Sequence, residues 1–239
     1  MGRHTLAGIG SLVSEASARQ SFAFTNFRIG EIRGWRRAFN QANWVNEKHS
    51  WCFGPDATAA LAMVRADSDY VSTVALMDVE DEGLSSFYER EAGYDIQETE
   101  FCERAADGTI QVTGTALLCT ACKDDAAADA LWAPGGAMER HCPGSEYVAR
   151  WMGSSLRPLW PAPSARLLPS SGYLVLCAEA HAQAGLLEHF LDSTLLNDRI
   201  TTLRGYCSDA RLFAAHARAE DVRAMRRLMA GTKRSDDDV

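Results

Sequence analysis

No apolar run in the 239-residue chain approaches the roughly 20 residues needed to cross a bilayer. The first residues, Met1 to Leu6, hold one arginine but no apolar stretch of the kind a secretory signal requires, so a cytosolic protein is expected. A positive balance is missing too. Formal net charge is −8, which argues against a surface that follows nucleic-acid phosphates or anionic lipid. Part of that charge is the tail Asp236–Asp238. A disulfide framework is absent in pattern: the seven cysteines are an odd number scattered through unlike segments, as in reduced, mostly buried thiols. Cys119-Thr120-Ala121-Cys122 has no second pair and no nearby paired histidine. It supplies only half of a tetrahedral zinc site and is read as two packed small residues.

Several catalytic signatures are likewise incomplete. Gly8-Ile9-Gly10 lacks the third glycine and the alternating strand–helix frame of a dinucleotide site. Ser11 lacks a nucleophile elbow and a partnered histidine. His181 and His189 share a helical face, but no carboxylate or cysteine completes a metal set, and His49 near Cys52 reads as structural. No internal repeats are visible.

What is present is a chain with 46% apolar and 23% charged residues, ordinary for a globular domain. Leu6–Ile9 reads as a strand stopping at a Gly-Ser turn, and Ser14 caps a short helix through Arg19. One strand with a solvated edge is expected over Phe27–Asn40. Two more, Leu61–Val64 and Tyr70–Val79, flank the polar turn 66–69. From Glu80 to Glu91 the period changes: Leu84, Phe87, Tyr88 and Glu91 fall at helical spacing. Tyr94–Glu103 and Thr109–Thr120 form a hairpin around Ala106-Asp107-Gly108. Residues 123–168, holding five of the seven prolines, read as a surface insertion or lid. Helices follow over Gly172–Leu191 and Asp209–Met229. The order predicts an α+β fold in a single domain over residues 1–230, its mixed or antiparallel sheet closing into a small β-barrel with flanking helices. Residues 231–239 are expected to be a disordered acidic tail.

Two places carry candidate chemistry. After a strand, the backbone N–H groups of Gly10-Ser11-Leu12 would line a concavity suited to an anion; the same residues also serve simply as the turn ending the strand. Glu91 closes a helix just before Gly93 and beside Arg90. Read from the residues alone, it is either a solvated helix-end glutamate or a proton-transfer group.

Three segments, in order, resemble the γ-glutamylcyclotransferase-like family. Ile9-Gly10-Ser11-Leu12 with Gly34-Trp35-Arg36-Arg37-Ala38-Phe39 is similar to the family's Tyr-Gly-Ser-Leu loop and downstream Gly-aromatic-Arg-x-x-Phe strand. Tyr70–Val79 leading into Leu84–Tyr94 is similar to a strand and short helix ending in an Arg-Glu pair before Gly-Tyr. Tyr173–Leu186 resembles a helix of the form Tyr…Cys-x-x-Ala…Gly-Leu. The resemblance covers Leu6 to Phe190, more weakly over 40–61 and 123–168.

The resemblance implies an enzyme that cyclises a small γ-glutamyl substrate to 5-oxoproline and releases an amine or amino acid, without a cofactor or metal. It implies Glu91 as general acid/base, and Ile9, Gly10, Ser11 and Leu12 as the loop that holds the substrate carboxylate. Where the family has tyrosine before Gly-Ser, this chain has Ile9. Tyr94 or Tyr88 is the candidate to restore the lost polar contact. The insertion around Trp132–Trp160 is expected to shape the leaving-group side, and the arginines Arg33, Arg36 and Arg37 are read as a solvated strand edge. A non-catalytic binding module on the same fold is the alternative.

Overall fold

The computed structural model describes residues 2–42, 56–144 and 166–232. Its strands in chain order are β1 (Arg3–Gly8), β2 (Thr25–Arg33), β3 (Trp35–Ala42), β4 (Ala59–Arg65), β5 (Val71–Glu80), β6 (Asp95–Arg104), β7 (Ile110–Thr120) and β8 (Leu195–Leu196). The first strand has two partners. It runs antiparallel to β5, with Leu6 opposite Met77, and parallel to β7, with Leu6 opposite Leu117. That double pairing closes the ring β1-β5-β2-β6-β7 into a five-stranded mixed barrel. Closure removes the free edges that an open sheet would expose. From β7 the sheet continues through β4 and β3 to β8.

The segment read as one strand over Phe27–Asn40 is two. Gly34, at φ +72°, turns the chain between β2 and β3, a conformation in which a Cβ would be strained. Its N–H donates to the Tyr70 carbonyl at 3.0 Å, and its carbonyl accepts from Ala66 N–H at 3.0 Å. The arginines beyond this turn are not a solvated edge. Arg36 donates to the Ser193 carbonyl at 2.9 Å and lies over the Tyr70 ring. Arg37 is 1% exposed. Its guanidinium donates to the Thr73 carbonyl at 2.6 Å, Ser193 Oγ at 2.8 Å and Thr194 Oγ1 at 3.3 Å. Ser193 ends a helix, so the negative end of that helix meets the buried cation. Burial lowers the Arg37 pKa to about 10.

Nine helices occur among the described residues: α1 (Glu15–Arg19), α2 (Asp81–Arg90), α3 (Asp125–Trp132), α4 (Ala137–His141), α5 (Ser171–Gln183), α6 (Leu187–Ser193), α7 (Leu203–Ser208), α8 (Ala210–Ala215) and α9 (Ala219–Thr232). The single helix expected over Gly172–Leu191 breaks between α5 and α6 because Gly185 adopts φ +71°, the left-handed stop that glycine permits. The stretch Asp209–Met229 likewise divides into α8 and α9. α9 runs through Gly231 to Thr232; residues 233–239 of the expected tail lie outside the described residues. In the expected insertion, α3 and α4 bury Ala128 and Met138 in the cluster that includes Phe87 and Tyr94. Residues 145–165 of it lie outside the described residues.

The core is two apolar clusters. One gathers Ile9, Phe39, Leu61, Leu174, Cys177 and Phe190. The other gathers Leu6, Leu12, Met77, Phe87, Tyr94 and Cys119. The Gly10–Val13 turn bridges them, with Ile9 in one and Leu12 in the other.

Candidate active site

Residues 9–13 leave β1 in a single buried 3₁₀ turn. Gly10 has φ +58°, and a Cβ there would lie 2.9 Å from the Tyr173 hydroxyl and 3.2 Å from Cys177 Sγ. Glycine is therefore required twice, for the backbone angle and for the close approach of α5. The turn's amides already have partners. Leu12 N–H donates to the Ile9 carbonyl at 3.1 Å, and Ser11 N–H contacts Cys177 Sγ. Ser11 itself is buried, and its hydroxyl accepts from Arg90 Nη2 at 3.3 Å.

Glu91 caps the C-terminus of α2, its N–H donating to the Phe87 carbonyl at 2.9 Å. Phe87, fully buried on α2, anchors this helix and so fixes where the next turn ends. The Glu91 side chain is 13% exposed. Arg90 Nε donates to its Oε1 at 2.9 Å, and Arg90 also contacts the Ser21 hydroxyl. One guanidinium thus holds the loop serine and the helix-end carboxylate together.

Cys119 and Tyr173 lie close to that carboxylate. Cys119 on β7 hydrogen-bonds to Glu91; burial, and then the Glu91 charge, push its thiol well above the usual range. The Tyr173 phenol is also pushed well up, first by burial and then by the thiol of Cys177, Tyr94 and Glu91. Cys177 is pushed up to about 12 by burial. At neutral pH these groups keep their protons and do not act as nucleophiles.

Tyr94 is buried, and its hydroxyl donates to the Leu61 carbonyl at 2.8 Å. Its N–H donates to the Glu91 carbonyl at 3.1 Å. The Tyr88 ring stacks on His141 at 3.8 Å between centroids and packs against the cluster that holds Phe87, Tyr94 and Cys119. The structure therefore brings Ile9, Gly10, Ser11, Leu12, Glu91 and Tyr94 into one region. It adds Arg90, Cys119, Tyr173 and Cys177, which sequence reasoning did not single out as site residues. Arg90, Tyr173 and Cys177 stood inside the quoted motifs; only the fold reveals that the Tyr173 hydroxyl sits over Gly10. Among the described residues no group of three or more His, Cys, Asp or Glu is arranged to hold a metal ion.

No protein-family model matches the chain, and no curated protein sequence matches it. Solved structures are similar to it. A γ-glutamyl cyclotransferase specific to glutathione from yeast overlaps 79% of this chain and 95% of its own, at 14% identity and a TM-score of 0.41. Another γ-glutamyl cyclotransferase overlaps 50% of this chain and 68% of its own, at 12% identity and a TM-score of 0.35. An uncharacterized protein from Homo sapiens overlaps 70% and 96%, at 10% identity and a TM-score of 0.35. These likenesses concern the fold. No helix among the described residues is long and apolar enough to cross a membrane.

Proposed function

We propose that the protein is a γ-glutamylcyclotransferase-type enzyme with Glu91 as its general acid/base. The observation that carries the reading is the Ser11–Arg90–Glu91 chain, which sets a mostly buried carboxylate beside the Gly10 turn and under the Tyr173 hydroxyl. The substrate supplies its own nucleophile. Its α-ammonium gives a proton to Glu91, and the freed amine attacks the γ-amide carbon. A carbon–nitrogen bond forms to close the five-membered ring of 5-oxoproline. The original amide bond then breaks as Glu91 returns the proton to the leaving nitrogen. The ring nitrogen still carries one surplus proton, which passes by way of the same carboxylate to the released amine; the amine leaves as an ammonium, and atoms and charge balance with no further reactant. Arg90 and the Ser11 hydroxyl are suited to the substrate's α-carboxylate, since a guanidinium offers several donors in one plane. The Tyr173 hydroxyl closes over the turn at Gly10 and is hydrogen-bonded to Cys177.

A second reading, a binding module without catalysis, is favoured by one observation. Arg90 pairs with Glu91 at 2.9 Å, so the carboxylate is already engaged by a cation of this chain. Release of 5-oxoproline from glutathione and from a panel of γ-glutamyl amino acids and amines separates the two. Turnover by the wild type that disappears in a folded Glu91→Gln variant supports the enzyme. Absence of turnover on every member leaves the binding module.

A further inference from the structure

Gln41 is fully buried near the end of β3, where the ladder to β4 slips. Phe39 stands opposite Leu61 and Gln41 opposite Ala60, so Asn40 is an extra residue in β3. Such a bulge re-aims the side chain that follows it. Gln41 Nε2 donates to the Gly93 carbonyl at 3.4 Å, two residues beyond Glu91. Its Oε1 has no hydrogen-bond partner. Turning the amide over would set Oε1 against the Gly93 carbonyl, acceptor to acceptor, so the orphan is the oxygen. Both amide atoms lie beside the Glu91–Tyr94 turn, and Tyr94 reaches the neighbouring β4 residue, Leu61, from that turn.

A buried acceptor without a donor is costly and calls for an explanation. We infer that Gln41 is a substrate-binding residue whose Oε1 accepts a hydrogen bond from the α-ammonium of the γ-glutamyl group. The inference rests on the cyclotransferase reading and extends it to a residue that motif resemblance does not touch. An ammonium has three N–H donors, and two acceptors of different character suit the reaction. Glu91 can take a proton; the Gln41 amide oxygen, a far weaker base, can only hold one in place. When Glu91 removes one proton, the bond to Gln41 keeps the amine oriented, with its lone pair toward the γ-carbonyl.

The test compares ligands with and without the amine. Glutathione and γ-glutamyl-L-alanine are assayed as substrates, and their glutaryl counterparts, which lack the α-amine and cannot cyclise, as competitive inhibitors. In Gln41→Met, KM should rise about tenfold or more, while the inhibition constant of the glutaryl compound stays within about twofold of wild type, the span of one weak contact. A parallel rise of both constants, or an unchanged KM in folded Gln41→Met, overturns the assignment of Gln41 while leaving the cyclotransferase in place. Absence of wild-type turnover on either substrate instead removes the reading on which the inference stands.

Discussion

Arg90 and Glu91 are neighbours in sequence whose side chains also close on each other, Nε to Oε1 at 2.9 Å. Adjacent residues on a helix point apart, so this contact depends on the helix ending between them. Glu91 has left helical geometry, at φ −95° and ψ 23°. The pair is thus a product of the helix stop that Gly93 makes possible at φ +99°.

The pair also defines how the site should respond to a change at Arg90. In Arg90→Met the Ser11 hydroxyl and the Glu91 carboxylate lose their common partner. The cyclotransferase reading expects 5-oxoproline release to fall about 10²-fold in kcat/KM, the scale of one lost electrostatic contact in an active site. Arg90→Lys keeps the charge but not the fork that reaches both oxygens, so it should recover only part of the loss. A thermal melt of each variant separates loss of chemistry from loss of fold.

Gly10 and Gly108 offer a matched pair of substitutions. Both have positive φ, +58° and +83°. A Cβ at Gly108 would meet nothing within 4 Å, whereas at Gly10 it would press on Tyr173 and Cys177. Gly108→Ala should therefore cost only the left-handed backbone penalty, about 1–2 kcal/mol. Gly10→Ala adds displacement of α5 and should cost about 1–3 kcal/mol more. Urea unfolding of the two variants measures the difference, and equal costs would mean that the approach of Tyr173 to Gly10 is not tight.

How much of this was legible beforehand depends on the range of the interaction. The short helix with its Ser14 cap, the hairpin at Gly108, the helix ending at Glu91 and the strand-then-helix order all follow from local rules, and they appear as read. The breaks at Gly34 and Gly185 were written in the sequence as glycines, but periodicity carried the reading through them. The barrel expected from the order of the elements is present, but the pairing that closes it, Leu6 with Leu117 more than a hundred residues away, is encoded by no local pattern. For the same reason the four added site residues came into view only with the fold. Arg37 shows the limit most clearly. An arginine in a strand reads as solvent-facing, and only the helix end packed over it explains its burial.

That burial sets a third expectation. Arg37→Ala would leave the Thr73 carbonyl and Ser193 Oγ without their donor and open a void, so it should destabilise by about 3–5 kcal/mol. Arg37→Lys, with a single ammonium for three acceptors, should fall between Ala and wild type. Chemical unfolding midpoints would rank the three, and a neutral Arg37→Ala would show that the α6 end does not depend on this cation.

The same cation shapes the pH dependence of folding through His181. That histidine is buried, its Nδ1 2.7 Å from the Cys177 carbonyl and its ring stacked on Phe190 at 3.9 Å. Burial first, and then the Arg37 charge, lower its pKa to about 3. In the unfolded chain the imidazole titrates near 6.5. Between those values the unfolded state binds a proton that the folded state refuses. Stability should therefore fall as pH drops from about 6.5 toward 3, by at most about 1.4 kcal/mol per pH unit from this group. Above pH 6.5 the contribution is flat. Measuring unfolding free energy between pH 4.5 and 6.5 keeps most carboxylates out of the window. His181→Leu should remove most of the slope. A smaller residue is expected from His189, which is lowered by burial and Arg37 as well. Arg37→Met should leave most of the slope between pH 4.5 and 6.5, because burial, the larger cause of the lowered pKa, remains. An undiminished slope in His181→Leu would place the acid sensitivity of this protein elsewhere.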